Sequence, residues 1–324
     1  MATIKHIGVF CSGGDAPGMN AAVRAVVRTA IQANLKVSGI IGGYQGMIDG
    51  NFMPMYSHTV GNIIHRGGTI LKSARSKDFH TKEGRAKAME QLKLHQLDAL
   101  IAIGGDGTLK GATLFTQEHQ IPFIGLPGTI DNDLNGTDFT IGYDTAVQTA
   151  VECIDKVRDT AQSHNRIFFI EVMGRDVGTI ALASGIAAGA EDILIPETVT
   201  NIQQIAARIN ANHHKQSYLI IVAEGDEAGG AMAIANDFQQ QNPNYDVKTL
   251  ILGHLLRGGS PTANDRILAS RLGVAAVDEL LKENYNHMIG IHHNKIITTP
   301  FEQCTKHLLE INKEYQNLLY KLSY

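Results

Sequence analysis

Cysteine is scarce in this chain of 324 residues, with only Cys11, Cys153 and Cys304 present. An odd, widely spaced set offers no disulfide framework and points to a reducing compartment. Long apolar runs are missing, since none approaches the roughly 18 residues needed to span a bilayer, so no membrane partner is expected. No basic-apolar-small leader pattern precedes the first strand, and a cytoplasmic location is expected. Excess charge of one sign is absent too: 28 Lys plus Arg against 32 Asp plus Glu leave −4. That balance gives no electrostatic reason to expect nucleic acid, and an anionic ligand would need local arginines. Low-complexity linkers and short-period repeats are lacking, so no domain boundary shows as a shift of composition. The Gly-Lys-Ser/Thr of a Walker A loop and the glycine spacing of a dinucleotide fingerprint are absent.

What remains is an ordinary globular composition, 44% hydrophobic and 19% charged, in a chain long enough for two domains. Strand patterns over 6–10, 37–41, 100–103, 122–126, 167–173, 193–195, 218–223 and 249–252 alternate with helical ones. Helices are predicted over 83–95, 109–119, 144–162, 177–189, 202–212, 231–241, 262–282 and 301–320, and another carries Val23, Val26, Val27, Ala30 and Ile31 on one face. Repeated βα units predict an α/β chain of two doubly wound, mainly parallel-sheet, Rossmann-like domains in three αβα layers.

Two strand endings carry the chemistry: Gly104-Gly105-Asp106-Gly107-Thr108 and Pro127-Gly128-Thr129-Ile130-Asp131-Asn132-Asp133. In the first, glycines permit positive φ and close approach of backbone to a polyphosphate. Asp106 can hold Mg²⁺, directly or through water, as the cation bridges phosphate oxygens; a helix N-cap is the alternative. In the second, Asp131 and Asp133 on an extended loop project to one side. Carboxylates so close repel unless a cation sits between them or one is protonated. One can then accept the proton of an attacking hydroxyl while the other acts around the metal. A free aspartate, titrating at about 3.9, is a weak base, which a loose phosphoryl-transfer transition state tolerates. A solvated turn is the alternative here. If the two strands are neighbours, metal, phosphate and base share one crevice. Gly13-Gly14, after the first strand, is either a tight turn or another phosphate cradle at a helix N-terminus.

Arg75, Arg166, Arg175 and Arg257 stand next to strands, a placement that suits phosphate clamps; a surface ion pair is the alternative for each. Adjacent residues in His213-His214 and His292-His293 point to different sides, which favours solvated surface over zinc.

Across essentially its whole length the chain resembles the bacterial ATP-dependent 6-phosphofructokinase family. The matching stretches are Ser12-Gly13-Gly14-Asp15-Ala16-Pro17-Gly18-Met19-Asn20, the two strand endings above, Val172-Met173-Gly174-Arg175, Leu252-Gly253-His254, Arg257-Gly258-Gly259-Ser260-Pro261 and Asp265-Arg266. The resemblance implies transfer of the γ-phosphoryl of MgATP to the 1-hydroxyl of fructose 6-phosphate in glycolysis. It makes Asp131 the base and Asp106 the Mg²⁺ partner, with Arg75, Arg175 and Thr129 at the transferring group. It puts Gly14, Arg75, Ser76, Gly105, Gly107 and Thr108 at ATP. Thr129, Ile130, Met173, Gly174, Arg175 and Glu224 hold the sugar, with His254 and Arg257 beside its 6-phosphate. Arg166 and Lys248 would reach that phosphate from a neighbouring subunit of a homotetramer. Arg24, Arg28, Arg158, Gly189, Glu191, His213 and Lys215 would form an effector pocket for ADP or phosphoenolpyruvate. The implied domains are a large ATP-binding one, 1–141 plus 253–303, and a small fructose 6-phosphate one, 142–252 plus 304–324.

Pyrophosphate-using relatives carry an acid at the position of Gly107 and a lysine at that of Gly128, so ATP is the expected donor. NAD and lipid kinases share Gly-Gly-Asp-Gly-Thr but lack the other loops in this arrangement, and an intact Asp131 argues against a non-catalytic nucleotide sensor. Lys248 replaces a usual arginine, Leu256 a glutamine, and Ser76 an aromatic that would flank adenine. In the effector pocket Ser57 replaces an arginine and His213 a lysine, so blunted responses to ADP and phosphoenolpyruvate are expected.

Overall fold

The computed structural model describes residues 4–211, 215, 217–304, 306, 318 and 321. By contacts the chain divides into two compact units, residues 1–145 with 257–307, and 146–256 with 308–324. The first contains β1 (His6–Cys11), α1 (Met19–Gln32), β2 (Lys36–Ile40), α2 (Gly43–Ile48), β3 (Phe52–Pro54), α3 (Lys82–Leu94), β4 (Ala99–Gly104), α4 (Asp106–His119) and β5 (Phe123–Pro127). The second contains most of α5 (Tyr143–His164), then β6 (Arg166–Val172), α6 (Thr179–Ala187), β7 (Asp192–Leu194), α7 (Ile202–Ala211), β8 (Tyr218–Ala223), α8 (Gly230–Gln241) and β9 (Asp246–Ile251). The chain then completes the first unit with α9 (Ala263–Leu281), β10 (His287–His292) and β11 (Lys295–Pro300).

The first unit's sheet runs β11-β10-β5-β4-β1-β2-β3, parallel from β10 to β2 with an antiparallel strand at each edge. Its central strands are apolar throughout because both faces are covered. Phe10, Leu100 and Phe123 join residues of α2, α3 and α4 in one buried cluster. On the opposite face a Cβ at Gly128 would lie 2.8 Å from Ile103 and 3.2 Å from Met19 of α1. There α1 packs closely on α9, and a Cβ at Gly273 would meet that of Ala25 at 2.7 Å. The second unit has a four-stranded parallel sheet, β7-β8-β6-β9, with Phe169, Ile220, Ile205 and Phe238 in its core.

The chain is thus α/β with mainly parallel sheets, as the pattern of βα units predicts. Several local expectations need correction. Strand β9 starts at Asp246, earlier than expected, because an edge strand tolerates the exposed Asp246 and Lys248. The β10–β11 hairpin was not foreseen. Its turn residues His293 and Asn294 have φ of 46° and 62°, so it uses left-handed positions without the usual glycine. No helix begins at Phe301: Phe301–Gln303 is a 3₁₀ turn and Lys306 forms a bridge with Leu134. The rest of that expected helix lies, apart from 318 and 321, outside the described residues. Among the described residues no helix is long and apolar enough to cross a membrane.

Candidate active site

Strand register brings three loops together. Cys11 pairs with Ile103 across β1 and β4, and Gly104 with Pro127 across β4 and β5, so these strands end level. The chain leaves β1 for β2 on one side, while β4 lies on the other, and this reversal opens a crevice at the carboxyl ends.

The β1–α1 loop turns at Gly13, φ 83°, and Ser12 N–H donates to the Ile103 carbonyl at 3.0 Å. Ser73 Oγ donates to the Gly13 carbonyl, and Thr69 Oγ1 donates to Cys11 Sγ at 3.0 Å. Burial pushes the Cys11 thiol up to about 12, which keeps it a neutral acceptor. A Cβ at Gly14 would collide with the Arg257 guanidinium, whose Nη1 donates to the Asp15 carbonyl at 3.1 Å. Arg257 therefore reaches this loop. No side chain caps α1.

The glycines after β4 serve different ends. A Cβ at Gly104 would collide with the Thr108 hydroxyl, and one at Gly105 would touch Thr129 at 3.4 Å. A Cβ at Gly107 would meet nothing within 4 Å, and its φ is not left-handed, so nothing inside the protein requires a glycine there. Thr108 is buried, donates its hydroxyl to the Ser12 carbonyl at 3.2 Å, and accepts from Tyr44 through its own carbonyl at 2.7 Å. Asp106 is not the N-cap: Gly105 is, with no capping side chain. Asp106 Oδ2 accepts from Lys110 Nζ at 2.7 Å. Its Oδ1 is buried with no hydrogen-bond partner among the described residues. The orphaned hard oxygen fits a magnesium ion, while the uncapped helix N-terminus beside it fits the anionic phosphate that would share the ion. Among the described residues no larger His, Cys, Asp and Glu cluster could hold a metal.

After β5, Asp131 and Asp133 are buried, 4% and 3% exposed. Asp131 N–H donates to Thr129 Oγ1 at 3.2 Å. The expectation of an extended loop fails at Asn132, whose φ is 52°. Asp133 pairs with Lys306 at 3.4 Å. Burial pushes the Asp133 carboxyl above the usual aspartate range; Lys306 opposes the rise and the charge of Asp106 adds to it. The two carboxylate loops thus feel one another. The Gly128 contacts given above show that a lysine there would have to displace Met19 or Ile103. Arg75 is exposed. Ser76 bonds Gln45 at 2.7 Å and accepts from Phe79 N–H at 3.1 Å, and the Phe79 ring stacks on that of Tyr44.

The second unit presents its own groups. Val172 and Ala223 pair at the ends of β6 and β8, and Glu224 N–H donates to the Val172 carbonyl at 2.9 Å. Met173, Gly174, Arg175 and Glu224 therefore come together, with Arg175 in a left-handed backbone of φ 53°. Arg166 lies at the other end of β6, one strand of seven residues away, or about 20 Å. It bonds Asp246 Oδ2 at 2.7 Å while Lys248 bonds Oδ1 at 2.6 Å. Both cations hold the Asp246 carboxyl below the usual range, Lys248 first. His254, which is exposed, sits on the 3₁₀ turn Gly253–Arg257, where Leu256 is buried. Arg158 bonds the Ala188 and Gly189 carbonyls at 2.5 and 3.0 Å. Glu191 pairs with Arg158 at 3.7 Å and with Lys215. Arg24 and Arg28 are on α1 of the first unit, and His213 lies outside the described residues. Lys110, Lys306 and Asn132 were missed as site residues; the four-residue spacing of Asp106 and Lys110 was the one available signal.

The family model for phosphofructokinase matches residues 6–280. The chain belongs to this family. It is 53% identical over 325 residues to ATP-dependent 6-phosphofructokinase 2 of Bacteroides thetaiotaomicron, covering 100% of both chains. It is 51% identical to ATP-dependent 6-phosphofructokinase 1 of Thermus thermophilus, covering 96% of this chain and 97% of that one. Among solved structures it is similar to phosphofructokinase from Saccharomyces cerevisiae, with TM-score 0.87 and 37% identity over 98% of this chain; it spans 48% of the yeast chain's length. The pyrophosphate-dependent phosphofructokinase of Marinobacter aquaeolei shares the fold, with TM-score 0.86 at 23% identity over 98% of this chain and 91% of that one.

Proposed function

We propose that this phosphofructokinase transfers the γ-phosphoryl of ATP to the 1-hydroxyl of fructose 6-phosphate, giving fructose 1,6-bisphosphate and ADP in cytoplasmic glycolysis. The observation that carries the reading is the level ending of β4 and β5, which sets the Asp106 and Asp131 loops side by side. The first unit is read as the ATP domain, the second as the sugar domain. Asp131 accepts the hydroxyl proton. Gly14, Gly105 and Gly107 give the polyphosphate access to backbone N–H groups and two helix N-termini. Mg²⁺, held by Asp106, would neutralise charge on the phosphate oxygens. Arg75 and Arg175 supply positive charge to the transferring group, and Thr129 orients it. Met173, Gly174, Glu224, His254 and Arg257 hold the sugar phosphate.

Arg166 and Lys248 cannot join Met173–Arg175 on one substrate within a single chain, because most of β6 separates Arg166 from them. Service to a neighbouring subunit accounts for them, and a homotetramer with shared sites is the assembly we propose. In the effector pocket Glu191 already neutralises Arg158 and Lys215. With Ser57 and His213 in place of two permanent charges, phosphate effectors should bind weakly. Turnover with fructose 6-phosphate should proceed with MgATP and fail with pyrophosphate. Equal or better turnover with pyrophosphate would overturn the donor reading, and none with either donor would overturn the activity.

A further inference from the structure

We infer that the Asn132 side chain is the positioning residue that aims Asp131 at its substrate. The inference deepens the reading of Asp131 as proton acceptor and rests on it. The loop over 128–141 leaves the sheet and returns to it, with Gly128 N–H donating to the Gly104 carbonyl at 3.0 Å and Ile141 N–H to the Pro127 carbonyl at 2.8 Å. Between those ends the loop forms no strand; its backbone bonds the rest of the unit at the isolated Leu134–Lys306 bridge and from Asp138 N–H, and side-chain bonds crosslink the stretch that carries Asp131. Asn132 does this with both ends of its amide. Its Oδ1 accepts from Thr140 N–H at 2.7 Å and its Nδ2 donates to the Asp138 carbonyl at 3.1 Å. One partner requires an acceptor and the other a donor, so the amide orientation is determined by the backbone it bonds. On the near side of Asp131, Thr140 Oγ1 donates to the Thr129 carbonyl at 2.6 Å. Asp131 is held between these two crosslinks.

The return arm is itself anchored. Asp138 N–H donates to the Ile291 carbonyl at 2.7 Å, and the Asp138 carboxylate bonds His292 Nδ1 and His293 N–H, each at 2.7 Å. Asn132 thus ties the residue after the proton acceptor, through Asp138, to the turn of the β10–β11 hairpin. Its φ of 52° lies where asparagine and glycine are tolerated. Glycine can take the backbone but makes neither bond, aspartate keeps only the acceptor, and alanine keeps neither.

The test uses Asn132→Gly and Asn132→Ala in the full chain, with Asp131→Ser alongside. Because a displacement of about 1 Å at a reacting group costs about 10²-fold, kcat should fall about that much in both Asn132 variants. The KM values for ATP and fructose 6-phosphate should stay within about threefold, since ground-state contacts are untouched. The deficit against the parent should narrow as pH rises from about 6 to about 9, because hydroxide takes the proton that Asp131 no longer meets. Thermal melting separates loss of folded enzyme, and Asn132→Gly, free of backbone strain, is the variant that decides. A kcat for Asn132→Gly within threefold of the parent would overturn the inference, as would a loss that tracks melting or is constant with pH. If Asp131→Ser is inactive while Asn132→Gly is normal, only this inference fails. If Asp131→Ser turns over normally, the reading beneath it fails as well.

Discussion

Replacing Gly107 by aspartate separates what the fold needs from what the nucleotide needs. A Cβ at Gly107 meets nothing within 4 Å, and the residue is in the first turn of α4. An added carboxylate there interacts favourably with the helix N-terminus, by about 0.5 kcal/mol, so melting should not fall. On the proposed placement of the polyphosphate over this loop, the same carboxylate would face it. Two unit charges about 5 Å apart, in an effective dielectric of about 20, repel by about 3 kcal/mol. That corresponds to about 10²-fold in kcat/KM for ATP, while the KM for fructose 6-phosphate should hardly change. The assay is coupled ADP release against ATP concentration, with melting recorded in parallel. Wild-type ATP kinetics in a folded Gly107→Asp enzyme would refute the placement of the polyphosphate over this loop. Pyrophosphate need not become a good donor, because the lysine that accompanies it in relatives has no room at Gly128.

Glu118→Gln should destabilise the first unit by about 3 kcal/mol, because it leaves a buried guanidinium without its counter-charge. Arg85 bonds both Glu118 oxygens at 2.7 Å and gives its remaining nitrogen to the Phe79 carbonyl at 2.9 Å. Arg85 holds the Glu118 carboxyl below its ordinary 4.5, so this stability is present above pH 4.5 and lost as pH falls through the lower folded value. Melting of parent and variant should therefore converge in acid; a gap that persists unchanged to low pH would contradict the assignment. For regulation, fructose 6-phosphate saturation should be close to hyperbolic and little altered by ADP. A strongly sigmoidal curve relieved by ADP would contradict the weakened effector pocket.

The parallel core and both carboxylate loops were legible because apolar strands and glycine-rich endings leave local signatures that survive burial. The reading of one shared crevice depended on β4 and β5 being neighbours, and the register between Gly104 and Pro127 meets that condition. Elements that draw their stability from tertiary pairing were not legible. The three-residue β3, the polar start of β9 and a His293-Asn294 turn without its usual glycine carry too short or too weak a local signal to be read alone. The placement of the candidate loops was read in outline, but not their wiring. Nothing local in the sequence says that Lys306 will neutralise Asp133 across the chain, or that a left-handed Asn132 will turn the two aspartates apart from simple alternation. The separation of Arg166 from Arg175 follows only once both are placed on one strand and its loop.

Rapid-quench phosphoryl transfer by Asp131→Ser, with ATP and fructose 6-phosphate binding measured by calorimetry on the same protein, tests the proton acceptor most directly. The expected result is a transfer rate lower by about 10² to 10⁴, with both ligands still bound at near-parent affinity. Transfer at the parent rate would show that the proton leaves by another route and that Asp131 is not the base.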